Sequence, residues 1–132
     1  MAEDFWPTLY DDKYAVIRIK KSVEIADIHP SHLILDVGCH KKELEKFLPK
    51  HTLYIGIDHL SGFDIDGGFK LINKFDRIFC LETLEHLKYP RKTLQSIFDH
   101  LLPDGIAVIS LPNEATLFHR IRALLGTVDA EC

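Results

Sequence analysis

The stretch Leu33-Ile34-Leu35-Asp36-Val37-Gly38 decides the fold. It is a short apolar run that finishes on an acid and a glycine, which is typical of a buried parallel strand that turns sharply at its carboxyl end. Residues 53–58 repeat the pattern and again finish on an acid. Between the two runs, Leu44, Phe47 and Leu48 share one helical face, so residues 33–58 predict one βαβ unit.

The alternation continues on both sides of this unit. An apolar stripe predicts a covering helix from Tyr14 to Ile28, closed by the dipeptide that ends in Pro30. Residues 61–74 carry little periodicity and hold at most a short strand from Phe63 to Ile65. Residues 76–81 then read as the fourth strand.

The second half of the chain predicts a helix, a strand and a last helix. The apolar face of the first helix consists of Leu94, Ile97, Phe98, Leu101 and Leu102. Pro103-Asp104-Gly105 predicts a turn, and Ile106 to Leu111 predicts the fifth strand. The last helix starts at Asn113 as its cap, and its apolar residues are Leu117, Ile121, Leu124 and Leu125. Together these elements predict an α/β fold: a Rossmann-like three-layer sandwich with a mostly parallel sheet of about five strands.

Composition limits the class of protein. The chain has 132 residues, of which 46% are hydrophobic and 27% charged, so it fits one ordinary globular domain. A net charge of −4 with no basic block implies no nucleic-acid partner. No apolar run approaches a membrane span, and we expect a cytoplasmic protein. Its three scattered cysteines fit reduced thiols.

Acidic residues at the strand ends point to a ligand. In open parallel sheets, ligands bind beyond the carboxyl ends of the strands. Asp58 lies 20 residues after Gly38, a spacing at which an acid can bind both hydroxyls of a ribose. A dinucleotide site needs further glycines in the loop after the first strand, and His40 and Lys42 stand there instead, so NAD and FAD are disfavoured. The alternative for each acid alone is that it caps the next turn.

Four motifs carry a family resemblance. They are Leu33-Ile-Leu-Asp-Val-Gly-Cys39, Tyr54-Ile-Gly-Ile-Asp58, Phe75-Asp-Arg-Ile-Phe-Cys-Leu-Glu-Thr-Leu-Glu-His-Leu87 and Leu101-Leu-Pro-Asp-Gly-Ile-Ala-Val-Ile-Ser-Leu-Pro-Asn113. In this order the chain resembles the class I S-adenosylmethionine-dependent methyltransferases, in particular the type 11 group. The resemblance divides the single domain into a covering helix (1–30), a cofactor-binding core (31–113) and a C-terminal helix and tail (114–132).

The resemblance implies S-adenosylmethionine as cofactor, S-adenosylhomocysteine as product, and an unidentified methyl acceptor that we expect to be a small molecule. Asp36 and Gly38 would line the methionine end, Asp58 would hold the ribose, and Asp64, with Asp66 as the alternative, would reach the adenine. The full set of implied cofactor-binding residues is Asp36, Gly38, Cys39, Asp58, His59, Asp64, Ile65 and Leu81. His86 is the candidate general base, although Glu85 and His86 could instead organise the following helix. We predict no metal site, because His40, His59 and His86 lack the spacing of ligands.

The sequence departs from the family in two places. His40 and Lys42 replace two glycines of the pattern Asp-x-Gly-x-Gly-x-Gly, which motivates an alternative function as a non-catalytic binding module. Only 21 residues follow Leu111, too few for the antiparallel strand pair with which the family's sheet usually ends. We therefore expect either a truncated piece of a longer protein or a homodimer formed through the edge of the fifth strand.

Overall fold

Four apolar runs form one parallel sheet. The computed structural model describes residues 15–40 and 42–111. The strands are β1 (Leu33–Val37), β2 (Leu53–Ile57), β3 (Phe75–Leu81) and β4 (Leu101–Ser110). They lie in the order β2-β1-β3-β4, and each neighbouring pair is parallel. The expected α/β, Rossmann-like fold is confirmed, with four strands in the described residues rather than about five.

The strand order places a ligand crevice beside β1. From β1 the chain passes to β2 on one side and then crosses to β3 on the other, so the order reverses between β1 and β3. Asp36, near the end of β1, lies opposite Gly56 of β2 and Phe79 of β3. Ligands bind at such a reversal in open α/β sheets, so the crevice is expected beyond the ends of β1 and β3.

Helices cover both faces of the sheet. Helix α1 (residues 15–26) packs on one face, where the buried side chains include Ala26, Ile34 and Phe79. Helix α2 (Pro90–Asp99) covers the other face, and its Leu94 and Ile97 enter the larger core cluster. The sandwich therefore has the three layers that the sequence predicts.

A buried arginine fixes the end of α1. The Arg77 guanidinium donates hydrogen bonds to the carbonyl oxygens of Ala26 and Asp27, which have no partners inside the helix. Asp27 has a φ of +50°, so the helix ends there, slightly before the predicted Ile28. Because Arg77 belongs to β3, these bonds fasten α1 to the sheet and set one wall of the crevice.

The expected strand from Phe63 to Ile65 does not form. This segment is irregular and is held by side chains of α2: Thr93 Oγ1 donates to the Ile65 carbonyl at 2.7 Å, and Ser96 Oγ accepts from the Phe69 amide at 2.9 Å. Gly67 and Gly68, with φ of +95° and +103°, turn the chain between them. Polar side chains thus satisfy backbone groups that a strand would have paired in the sheet.

Two other boundaries differ from the prediction. The face of Leu44, Phe47 and Leu48 forms a 3₁₀ helix, Glu43–Phe47, instead of an α-helix. Leu101 and Leu102 belong to β4 and not to α2. The predicted turn at residues 103–105 lies inside β4 as a bulge, because four residues of β4, 102–105, oppose the single residue Asp76 of β3.

The ends of the domain are only partly described. The predicted last helix, with its cap Asn113, lies outside the described residues, so the tail from 114 to 132 stays a prediction. Within the described residues β4 pairs on one side only, with β3, and the predicted homodimer through this edge also stays a prediction. No helix in the described part of the chain is long and apolar enough to cross a membrane.

Candidate functional site

A cleft of about 820 Å³ opens at the carboxyl ends of β1 and β3. It lies at the reversal of strand order, where the fold predicts a ligand. Its lining includes residues of α1, of the loop after β1 and of the segment that follows β3. The residues that line the cleft include Arg18, Asp36, Cys39, Leu81, Glu85 and His86.

Asp36 lies on the floor of the cleft. Its side chain is buried, the residue being 4% exposed, and its Oδ2 accepts a hydrogen bond of 2.7 Å from the Tyr54 hydroxyl. The pKa of Asp36 is raised from 3.8 to about 6. Burial is the main cause; the hydrogen bond from Tyr54 lowers the pKa, and the charge of nearby Asp58 adds to the rise. Above pH 6 the floor therefore carries a largely ionised carboxylate, which suits a cationic ligand.

The β1 loop, residues 38–42, has a left-handed backbone at alternate positions. The φ angle is +78° at Gly38, +48° at His40 and +59° at Lys42. Glycine adopts this conformation most easily, yet two of the three positions, His40 and Lys42, carry side chains. A left-handed conformation costs a residue other than glycine about 1 kcal/mol.

Gly38 is the position in this loop that has no room for a side chain. A Cβ atom there would lie 2.4 Å from Thr83 Oγ1 and 2.6 Å from Thr83 Cγ2. Thr83 is held in place because its hydroxyl donates to the Leu81 carbonyl at 2.9 Å. The close approach of the β1 loop to the segment after β3 thus depends on Gly38.

Cys39 follows Gly38 and lines the cleft. It is buried, and burial together with Asp36 and Asp58 raises the pKa of its thiol. Cys80 is also buried and unpaired, and burial raises the pKa of its thiol to about 12. Both are reduced thiols, as the sequence predicts, and neither is activated as a nucleophile.

Asp58 is tied into the protein by the β1 loop. It is 3% exposed; its Oδ2 accepts from the His40 amide at 3.1 Å and its Oδ1 accepts from the His59 amide at 2.8 Å. The ring nitrogen Nδ1 of His59 lies 3.0 Å from the same Oδ1. Asp58 and His59 are not among the described residues that line the cleft, so they lie beside it, behind the loop.

The two candidates for the adenine-binding acid differ in their contacts. The Asp66 carboxylate accepts hydrogen bonds from the amides of Lys88 and Tyr89, at 2.9 and 2.8 Å, just before α2 begins. Asp64 is exposed, and its Oδ1 accepts from the Asp66 amide at 3.1 Å. Asp66 therefore anchors the start of α2, whereas the Asp64 side chain faces solvent. The side chain of neighbouring Ile65 is buried in the core.

The segment after β3 supplies the other side of the cleft. Leu81 lines it at the end of β3, where the sequence places it. Glu85 Oε1 is buried and has no hydrogen-bond partner among the described residues, while Oε2 lies 3.9 Å from His86 Nε2. The His86 side chain is 73% exposed at the rim. Its ring can therefore reach a ligand in the cleft without first leaving a buried position.

Sequence reasoning missed two of the residues that shape the cleft. Arg18 projects from α1 and lies 3.8 Å from a Glu82 oxygen. Tyr54 reaches from β2 to Asp36 on the neighbouring strand β1. The signal for Tyr54 was its place two residues before Gly56, on the same face of β2, but only the register of β1 and β2 shows that Gly56 lies opposite Asp36.

The histidines of this region do not converge on a metal position. Among residues 15–40 and 42–111, no three His, Cys, Asp or Glu side chains are placed to hold one ion. His40 and His59 contact Asp58, and His86 contacts Glu85 instead.

Comparisons with known proteins indicate the family and the fold. A family model described as a methyltransferase domain matches residues 14–130. No curated protein matches the chain in sequence. Among solved structures, a similar chain comes from the complex between the Haloferax volcanii Trm112 methyltransferase activator and a protein described as a methyltransferase, with a TM-score of 0.55 and 14% identity. The match covers 82% of this chain and 59% of that chain, so this chain spans about three fifths of its structural neighbour.

The structural likeness supports the α/β fold, and the family model covers most of the 132 residues. The chain therefore belongs to the methyltransferase domain family.

Proposed function

We propose that this chain is a class I S-adenosylmethionine-dependent methyltransferase that transfers a methyl group to a small-molecule acceptor. The observation that carries the proposal is the β1 loop. Its backbone is left-handed at Gly38, His40 and Lys42, and it borders a cleft whose floor is the Asp36 carboxylate. The family resemblance places glycines at these three positions, and this chain has a positive φ at all three with one glycine, which supports the proposal.

The charges and donors of the cleft fit this cofactor. S-adenosylmethionine carries a sulfonium and an ammonium group, and the ionised Asp36 on the floor favours a cation. Glu85 Oε1 is buried and has no hydrogen-bond partner in the described part of the chain, so it can accept a hydrogen bond from an N–H or O–H group of a ligand in the cleft. No phosphate cradle is needed, which agrees with the loss of the dinucleotide glycines.

The residues implied by the family resemblance take the following roles in the proposal. Asp36, with Gly38 and Cys39, receives the methionine end. The Leu81 backbone contacts the cofactor at the end of β3. These four residues line the cleft directly.

The adenosine end extends from the cleft toward Asp58 and His59, with Asp64 and Ile65 beyond them. The Asp58 carboxylate already accepts two backbone hydrogen bonds. The His59 side chain is 72% exposed, so its ring can turn away from Oδ1 when a ribose hydroxyl approaches. The β1 loop would keep its own bond to Oδ2.

Methyl transfer needs little chemistry from the protein. The cofactor supplies an activated methyl group, and the chain holds the acceptor nucleophile in line with it. Glu85 orients the acceptor through a hydrogen bond, and His86 takes a proton from a nucleophile that still carries one. Both side chains line the cleft and belong to the segment after β3.

Calorimetry tests cofactor binding. Titration with S-adenosylhomocysteine at pH 8 should give a saturable one-to-one signal, which Asp36→Ala abolishes. Asp104→Asn, an exposed acid on β4, is the matched control and should bind like the wild type. No heat from the wild-type protein at about 1 mM ligand, a concentration that detects affinities of only about 4 kcal/mol, would contradict the proposal.

A labelled methyl group tests the acceptor class. The protein is incubated with methyl-labelled S-adenosylmethionine and a cell extract, and the products are separated by size. We expect the label in the small-molecule fraction. Label transferred only to protein or nucleic acid would overturn the small-molecule assignment.

One observation favours a second function, a non-catalytic binding module or subunit. The side chains of His40 and Lys42 stand where glycines let the backbone approach the cofactor, and the structural neighbour comes from a complex that contains a methyltransferase activator. The double variant His40→Gly, Lys42→Gly separates the two functions. If it binds S-adenosylhomocysteine and the wild type does not, the wild-type chain has the fold of the enzyme without its cofactor site.

A further inference from the structure

Tyr54 reaches the floor of the cleft from a neighbouring strand. It lies on β2, and its hydroxyl donates a hydrogen bond of 2.7 Å to Asp36 Oδ2 on β1. In the strand register Asp36 lies opposite Gly56, two residues further along β2. The tyrosine ring therefore extends along the strand, over Gly56, to meet a residue that is not its direct neighbour.

Gly56 provides the space for this contact. A Cβ atom at Gly56 would lie 2.8 Å from the Tyr54 hydroxyl and 2.9 Å from Cys39 Sγ. Its φ is not in the left-handed region, so the backbone itself does not require glycine. The absence of a side chain at Gly56 is explained by what lies above it, the Tyr54 hydroxyl and the β1 loop.

We infer that Tyr54 is a positioning residue for cofactor binding: its hydrogen bond stabilises the ionised form of the Asp36 carboxylate, and Gly56 leaves room for the hydroxyl. This inference rests on the proposed function for its consequence in cofactor binding, but the contact itself does not. A hydrogen bond donated to a carboxylate favours the charged form, and Asp36 is buried deeply enough for one bond to matter.

The other titratable groups that influence Asp36 do not replace this donor. Asp58, beyond the end of β2, raises the pKa of Asp36. The Cys39 and Cys80 thiols, from the β1 loop and β3, are neutral because burial raises the pKa of each. Burial and the Asp36 charge likewise raise the pKa of Tyr54, so its hydroxyl stays protonated and remains a donor.

The test compares Tyr54→Phe with Tyr89→Phe. Both variants remove one hydroxyl, and Tyr89 is 55% exposed on the loop before α2. Carbon-13 NMR of the ligand-free protein follows the titration of the Asp36 carboxyl group. The wild-type and Tyr89→Phe midpoints should coincide, and Tyr54→Phe should raise the midpoint by about one pH unit, as expected for the loss of one charge-assisted bond. An unchanged midpoint in Tyr54→Phe overturns the inference.

Cofactor affinity gives the second measurement. Calorimetry with S-adenosylhomocysteine between pH 5 and 9 should show the fall in affinity at low pH displaced upward by about one unit in Tyr54→Phe, with less than about threefold change at pH 9. An equal loss of affinity at every pH would indicate a merely structural role and overturn the inference. If the wild type binds no ligand, the proposed function fails while the NMR titration still decides on Tyr54.

A measurement on the wild type covers the case in which Tyr54→Phe does not fold. The Tyr54 Cζ resonance should shift with the same midpoint as the Asp36 carboxyl, because its hydrogen bond changes when Asp36 takes up a proton. A Tyr54 signal that stays constant between pH 4 and 8 would overturn the inference.

Discussion

The acids at the ends of β1 and β2, Asp36 and Asp58, have opposite roles in the structure. Asp36 opens onto the cleft and has one side chain, Tyr54, as a hydrogen-bond donor. Asp58 lies behind the β1 loop, and backbone amides of His40 and His59 donate to both of its oxygens. The same local pattern, an acid at the end of a strand, therefore yields one carboxylate that lines the cleft and one that holds the β1 loop in place.

The largest expected effect is at Gly38, where the β1 loop closely approaches Thr83 in the segment after β3. Gly38→Ala places a methyl group into Thr83 and onto a φ of +78°, and we expect a loss of about 3 kcal/mol in the free energy of unfolding, measured with urea. Gly62→Ala is the control, because its φ is +84° but no atom lies within 4 Å of the added Cβ. It should lose only about 1 kcal/mol. Equal losses in the two variants would show that Thr83 moves aside.

Asp58→Asn should weaken both the fold and the cofactor site. An asparagine has one acceptor oxygen in place of two, so an amide of the β1 loop or of His59 loses its partner. We expect a loss of about 2 kcal/mol in the free energy of unfolding and at least a tenfold loss of affinity for S-adenosylhomocysteine. Unchanged affinity with reduced stability would mean that Asp58 only organises the loop.

Asp36→Asn should change stability in the other direction. The folded-state pKa, about 6, is above the ordinary value of 3.8, so the folded protein holds this proton more tightly than the unfolded chain does. Wild-type stability therefore falls as the pH rises from about 4 to 6 and keeps the lower value above that. Asparagine does not titrate, so the variant avoids this loss of stability at high pH. Its buried side-chain N–H₂ group offsets part of that advantage. We expect Asp36→Asn to be about 1 to 2 kcal/mol more stable at pH 8 and to bind S-adenosylhomocysteine poorly.

Thermal unfolding at pH 4.5 and pH 8 checks this prediction. The advantage of Asp36→Asn should be present at pH 8 and smaller at pH 4.5. A destabilised variant at pH 8 would show that the charged carboxylate is better satisfied in the fold than its burial indicates.

These contrasts explain how far the sequence could go. Hydrophobic periodicity predicts β1, β2 and β3 nearly to the residue, because each is a short apolar run. Most side chains of β1 and β3 are buried, whereas β2 at the sheet edge exposes Leu53 and Ile55. It also predicts the acids at the strand ends, since strand length fixes where they fall. Periodicity does not contain the register, and only the register of β1 and β2 brings Tyr54 over Gly56 to Asp36.

The errors have the same origin. Residues 63–65 look extended in sequence. In the structure, side chains of α2 bond the Ile65 carbonyl and the Phe69 amide, a tertiary contact that no local pattern reports. Leu101 and Leu102 continue the apolar spacing of α2, but pairing with β3 takes the chain into β4. Local preference is overridden wherever a long-range partner satisfies the backbone.

The smallest expected effects separate Asp64 from Asp66, the pair whose roles the family spacing alone does not settle. Asp66→Ala removes the acceptor of two amides before α2 and should lower the free energy of unfolding by about 1 kcal/mol, because water can replace these partly exposed bonds. Asp64→Ala should leave stability within about 0.5 kcal/mol, since its side chain is exposed. In calorimetry Asp64→Ala should lower the affinity for S-adenosylhomocysteine several-fold and leave the affinity for free homocysteine, its amino-acid portion, unchanged, because the adenine alone loses a contact. If Asp66→Ala instead lowers the affinity for S-adenosylhomocysteine and leaves the free energy of unfolding unchanged, the adenine-binding acid is Asp66. The segment after β2 then contributes to the site through the residue that also anchors α2.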